Sequence, residues 1–252
     1  MSTTSIDFAP GGYAYLPGVF QYSAGVSALP GWQIERVRFD APIPLVQGFA
    51  RIAAFLKDAG RSRESLCACE LHSPAPFTEE GFKAFNQLYV GTLERWGIYR
   101  NGVNPVARSN TCPVVTPPHE PGFHAFCFTS PSRDARRGFV VAGSGEAPEG
   151  RQNYRDHIIA RGDTSAIGLR KKAVWVLGEM ENRMARLGGA WQETTAVQVY
   201  TVQDIHPFLA DQLARRGAMR HGLTWHFNRP PVVELEYEMD CRAVYAEHVI
   251  GA

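Results

Sequence analysis

Phe49-Ala-Arg-Ile-Ala-Ala-Phe-Leu-Lys-Asp-Ala-Gly60, followed by Leu66-Cys-Ala-Cys-Glu-Leu71, is a pair of segments that the chain uses twice. The first carries apolar side chains at helical spacing and ends in a glycine stop; the second has the residues of a buried strand. In the second half, Leu177-Gly-Glu-Met-Glu-Asn-Arg-Met-Ala-Arg-Leu-Gly188 leads in the same way into Thr195-Ala-Val-Gln-Val-Tyr200. Gly60 and Gly188 are 128 positions apart, and Cys69 and Val197 keep that offset. Farther on, Arg108 and Arg220 are 112 apart, as are His124 and Glu236, so about 16 residues are lost, net, between the two blocks. A repeat this long is a duplicated domain, since solenoid units run roughly 20–50 residues.

Working outward, Val19–Gly25 and Gly31–Phe39 read as two strands joined by a Pro/Gly turn. Leu45, Phe49, Ile52, Ala53 and Leu56 then mark the first helix, and 65–72 a strand. A second helix presents Phe82, Phe85, Leu88, Tyr89, Leu93 and Trp96 on one face, and strands around 107–115 and 122–129 close the unit. The second half repeats the order. It has a strand at Gly138–Gly145, a long helix capped near Asp163-Thr-Ser, a strand at 194–202, a helix from His206-Pro207 and a last strand at 231–240. Alternation along that last strand puts Glu234, Glu236 and Glu238 on one face and Val233, Leu235, Tyr237 and Met239 on the core side. The polar, turn-rich Ser130–Arg137 is the boundary. The expected fold is α+β: two tandem ββαβαβ domains, 1–130 and 138–252, each a mixed sheet with two helices on one face.

Bulk properties fit a globular chain of two such domains, with 44% hydrophobic and 20% charged residues. A net charge of +1 without Lys/Arg runs speaks against nucleic acid or an anionic membrane as partner. No apolar stretch approaches the roughly 18 residues of a membrane span, and the start, Met1-Ser-Thr-Thr-Ser-Ile-Asp7, lacks the features of a signal peptide. Five cysteines, an odd number lying mostly in strand-like runs, read as free thiols of a cytoplasmic protein. His119/His124 and His221/His226 share a His-x4-His spacing, but no Cys-x2–4-Cys element accompanies them. No phosphate loop, dinucleotide fingerprint or Gly-x-Ser-x-Gly elbow is present, so neither metal nor cofactor is expected.

Several strings, in order and in both halves, resemble the RidA/YjgF family of imine and enamine deaminases. Val106-Ala-Arg-Ser-Asn110, Pro117-Pro118 and Gly122–Cys127 are similar to that family's "ARS…LP…EIEA" ending, and Gly11-Gly-Tyr-Ala14 to its "GPYS" segment. Phe139–Glu146 resembles its "FVSGQ" strand and Val233-Glu-Leu-Glu-Tyr237 its "VEIEA" strand. The resemblance implies hydrolytic deamination of a small carboxylated imine or enamine, such as an aminomuconate-like catabolic intermediate, in a homotrimer with sites between neighbouring copies. It assigns Arg108 and Arg220 to the substrate carboxylate and Glu236 to the attacking water, with His124 in Glu236's place in the first half. Tyr13 and Ser144 would shape the pocket. A guanidinium can hold a carboxylate bidentately, and a carboxylate or histidine near a water can move the protons that C–N hydrolysis requires. Two other readings stay open: a non-catalytic binder of small metabolites, and a chorismatase-like hydrolase on the same tandem plan.

Overall fold

The computed structural model describes residues 5–133 and 136–252. The expected boundary, Ser130–Arg137, therefore lies partly outside the described residues, as does the start of the chain. The architecture is α+β, with two mixed sheets and four helices among the described residues.

The strands are β1 (Ile6–Phe8), β2 (Tyr13–Leu16), β3 (Gly25–Ala28), β4 (Trp32–Pro44), β5 (Leu66–His72), β6 (Ala107–Pro113), β7 (Gly122–Pro131), β8 (Phe139–Gly145), β9 (Ala196–Tyr200), β10 (Thr224–His226), β11 (Asn228–Arg229), β12 (Glu238–Ala243) and β13 (Ala246–Ile250). The helices are α1 (Leu45–Asp58), α2 (Glu79–Arg95), α3 (Ala166–Leu187) and the short α4 (His206–Phe208), which runs on into a π-helical turn, Leu209–Ala214. One sheet has the order β1-β2-β3-β8-β12-β9-β10, the other β11-β6-β5-β7-β4-β13.

The repeated segments fold as their patterns require. In α1 the stripe Phe49, Ile52 and Leu56 is buried, and in α3 so are Leu169, Ala173, Leu177, Met180, Met184 and Leu187. The Ser165 hydroxyl caps α3 by accepting the Gly168 N–H, an interaction worth about 1 kcal/mol. Gly188 ends the helix at φ 78°, a left-handed conformation costly for a residue with a Cβ. Each sheet buries one face beneath its helices: Phe123, Phe126 and Phe128 of β7 lie under α1 and α2, and Val141, Val199, Met239 and Cys241 under α3. The opposite faces of the two sheets meet in a third core containing Tyr13, Val26, Ile34, Cys67, Ala107 and Ala142. All five cysteines are free and buried.

Three expectations are corrected. The expected strand over 19–25 makes only isolated bridges as far as 24, and the strand before the turn is β3, which pairs with β2 and β8, whereas β4 pairs with β7 and β13 in the other sheet. β1 to β3 therefore extend a sheet made otherwise from C-terminal strands, and β13 returns to the first. Leu88 is 71% exposed rather than on the buried face of α2. The last long strand begins at Glu238, not near 231. Before it the chain turns irregularly, with Glu234 at φ 70°, so strict alternation fails and Val233 faces solvent.

Candidate active site

A cleft opens where β6 of one sheet passes β8 and β12 of the other. Arg108 and Asn110 come from β6, Gly143 and Gly145 from β8, and Glu238 from the first position of β12. A Cβ at Gly143 would run into the Glu238 carboxyl, forcing it to move, and would crowd Ser109. Tyr22, Phe82, Glu149 and Tyr154 form the remaining polar and aromatic wall, and Val232 and Leu235 the apolar one.

Two buried devices hold these walls. Lys172 and Glu146, both without exposure, pair at 3.1 Å, and the Glu146 carboxylate accepts the Glu236 and Tyr237 N–H groups at 2.7 and 3.1 Å. That fixes the irregular turn leading into Glu238. Arg183 reaches from α3 to Glu149 at 3.0 Å, and the Tyr22 hydroxyl donates to the same carboxylate at 3.0 Å.

Arg108 is the unusual group. It is 2% exposed, and none of its three guanidinium nitrogens has a hydrogen-bond partner among the described residues. Aromatic rings surround it, with Tyr89 at 4.8 Å, Tyr22 at 5.1 Å, Phe82 at 5.7 Å and Phe85 at 5.9 Å. Ring faces attract a cation but leave its five donors unsatisfied. Beside it the Asn110 Nδ2 is also unpartnered, while its Oδ1 accepts the Ser73 hydroxyl at 3.0 Å. A fork of unused donors around a buried cation is shaped for a carboxylate.

Glu238 supplies the complementary chemistry. Burial pushes its carboxyl well above the usual range, and the nearby Asp240 and Glu146 carboxyls push the same way against an opposing pull from Arg108. Burial thus favours its protonated form relative to an exposed glutamate, the direction a proton donor requires.

The sequence-predicted residues fare unequally. Arg108 lines the cleft. Ser144 sits between two glycines that line it, but its Oγ bonds to the Gly145 carbonyl at 3.3 Å. Tyr13 is wholly buried and donates to the Leu66 carbonyl at 3.1 Å. His124 stacks on His72 at 4.3 Å, and burial lowers its pKa to about 4, leaving a neutral ring away from the cleft. Glu236 turns instead to Gln203 at 2.9 Å and Arg229 at 3.6 Å. Arg220 lies in an exposed turn and reaches the Gln192 carbonyl at 3.4 Å.

Strand register shows why the 112-residue offset misleads. Cys69 lies beside Arg108 in the parallel pair β5–β6. Its counterpart by the 128-residue offset, Val197, is in β9, whose parallel partner β10 begins with Thr224 opposite Gln198; carried one residue back, that register brings Leu223 to Val197. On that register Leu223 rather than Arg220 answers to Arg108. Likewise His72 pairs with Gly122, while its counterpart Tyr200 pairs with Glu238. Each half thus carries one member of the Arg108–Glu238 pair, and the opposite half has Leu223 or Gly122 in its place. Glu238 was legible only as one acid in a crowded strand, because the strand's true start is not written in its alternation. Among the described residues no group of three or more His, Cys, Asp or Glu side chains is placed to hold a metal.

The fold places the chain with two-sheet α+β proteins of the chorismatase kind. A chorismatase crystal structure superposes with a TM-score of 0.51 over 95% of this chain and 78% of that one, at 11% identity. A cyanuric acid hydrolase aligns with a TM-score of 0.44 over 87% of this chain and 69% of that one, also at 11% identity. Sequence then specifies the family: residues 5–248 match that of the 2-aminomuconate deaminase CnbZ, and the chain belongs to it. The 2-amino-5-chloromuconate deaminase of Comamonas testosteroni is 50% identical over 248 residues, covering 98% of this chain and 99% of that protein.

Proposed function

We propose that the chain hydrolyses the C–N bond of a 2-aminomuconate, an enamine diacid, at the cleft between Arg108 and Glu238. The observation that carries this reading is the buried, unpartnered guanidinium in one cleft with the buried Glu238 carboxyl. Arg108 and Asn110 hold the carboxylate next to the amino-bearing carbon. Glu238 gives its proton to the enamine carbon, forming an iminium, and then takes one from the water that adds to it. The same carboxyl protonates the amino group of the resulting carbinolamine. As ammonia leaves, it recovers a proton from the hydroxyl that becomes the keto oxygen. Enamine plus water yields the 2-keto diacid and ammonia, and Glu238 ends as it began.

The finer fold reading, two RidA-like units in tandem, agrees with the matched β5/α2 and β9/α4 orders and with helices over one face of each sheet. A cytoplasmic location accords with five free thiols. A homotrimer is proposed only from the family resemblance, and sedimentation tests it. The catalytic test is ammonia release from 2-aminomuconate above its spontaneous rate, compared with Glu238→Gln. Equal release by both proteins refutes the assignment.

A further inference from the structure

We infer that the groove outside Tyr154 is the subsite for the second carboxylate of the diacid, read by the Asn86 amide and the Lys83 ammonium. This deepens the reading above and rests on it. The argument begins with space. The chamber at Arg108 leaves only about 30 Å³ to the centre of a water-sized sphere, room for a carboxylate and little more. A six-carbon diacid held there by one end must extend elsewhere. Phe82 and Tyr154 line both this chamber and a neighbouring groove, whose corresponding volume is about 440 Å³.

That groove contains a second unexplained polar group. Asn86 is 1% exposed, yet neither its Nδ2 nor its Oδ1 has a partner among the described residues. A buried amide left unpaired carries its full desolvation cost, so a ligand that pairs with it gains. Its position ties it to the reacting end, because it lies on α2 one turn from both Phe82 and Tyr89, whose rings pack on Arg108. Lys83, one turn before Asn86 and exposed at the groove, supplies positive charge. Of the two acids lining the groove, Glu79 is engaged in accepting the Tyr154 and Arg155 N–H groups at 2.9 and 3.1 Å. Glu80 lies at the exposed helix start, where its field is screened by solvent.

Two inert acids test the subsite: trans,trans-muconate and sorbate share a six-carbon diene and differ by one terminal carboxylate. Titration calorimetry on the wild-type chain is expected to show muconate binding about 10- to 100-fold tighter, the worth of one charge-assisted hydrogen bond. Asn86→Leu and Lys83→Ala should each shrink that preference several-fold while sorbate affinity stays within twofold. Retained sorbate binding shows that the variant is folded. Asn86→Asp, nearly isosteric, should invert the preference by repulsion. Equal affinities in the wild type, or a preference unchanged in all variants, overturns the subsite even if 2-aminomuconate is deaminated. Loss of sorbate binding together with absent ammonia release would instead bring down the underlying reading.

Discussion

Replacing Arg108 with methionine should make the free protein more stable and destroy its activity. A cation buried without hydrogen bonds costs several kcal/mol even after the surroundings relax. Four aromatic rings within 6 Å of the guanidinium return part of that, about 0.5–1 kcal/mol each. The net deficit is about 1–3 kcal/mol, which methionine removes while filling a similar volume among the same rings. In a chain of this size each kcal/mol moves the melting temperature by about 2–4 °C, so the variant should melt about 2–12 °C higher. Losing the carboxylate clamp should lower kcat/KM by about 10²- to 10³-fold. The assay is paired: thermal melts without ligand, then with muconate at 100 times its Kd. Ligand should stabilise the wild type by about 2.7 kcal/mol and the variant hardly at all. A variant that melts lower than wild type without ligand would show Arg108 to be a structural member of the core, and the clamp argument would fall.

Other consequences follow from the same geometry. Because burial raises the Glu238 pKa, the folded state holds a proton that the unfolded state releases. Stability from this group is therefore lost as pH rises above the unfolded carboxyl value, by about 1.4 kcal/mol per pH unit until the folded pKa is reached. Glu238→Gln should cancel that slope, so the melting-temperature gap over wild type widens from pH 5 to pH 8, and parallel curves would contradict it. Arg220→Ala, in its exposed turn, should change stability by less than about 0.5 kcal/mol and leave kcat/KM unaltered; a tenfold loss would restore the arginine to the site. Tyr13→Phe removes the bond to the buried Leu66 carbonyl and should cost about 1–3 kcal/mol in chemical denaturation with turnover intact. Titration of a diacid should give one site per chain, since the mirrored position carries Leu223 and Gly122; two equivalent sites would refute the register argument.

Much of the fold was legible because helices and buried strands are written in side-chain periodicity. The spacing of Phe49, Ile52 and Leu56, and Gly188 beyond α3, mark their elements in sequence. What periodicity does not carry is partner choice between strands. The turn between β3 and β4 looks like a hairpin, yet sequence neighbours there join opposite sheets, a decision made by the long-range pairing of β3 with β8. The site suffered from the same blindness. Arg108 stood in a recognisable string, but its burial without partners is a three-dimensional fact. Glu236 and Glu238 are equal candidates by alternation. The Lys172–Glu146 pair, distant in sequence, together with the Thr201 hydroxyl that donates to the Glu236 carbonyl, holds the bend at 236 before the chain enters the cleft at 238.

The asymmetry between the halves has a physical rationale. A buried arginine without partners and a buried acid are each costly, and a chain that carried both in each half would bear that burden twice over. Here β6 carries the arginine, while the matching register in the other half brings up the partly buried Leu223, packed against the α3 core. β12 retains the acid, while its counterpart Gly122 lets the backbone of Ile43 approach so closely that any side chain would collide with it. Each replacement turns a strained polar position into packing. The costs are concentrated in a single cleft, which lies between the two sheets and draws one chemical group from each half. Either half alone would lack one member of the pair, so the proposed chemistry needs both sheets.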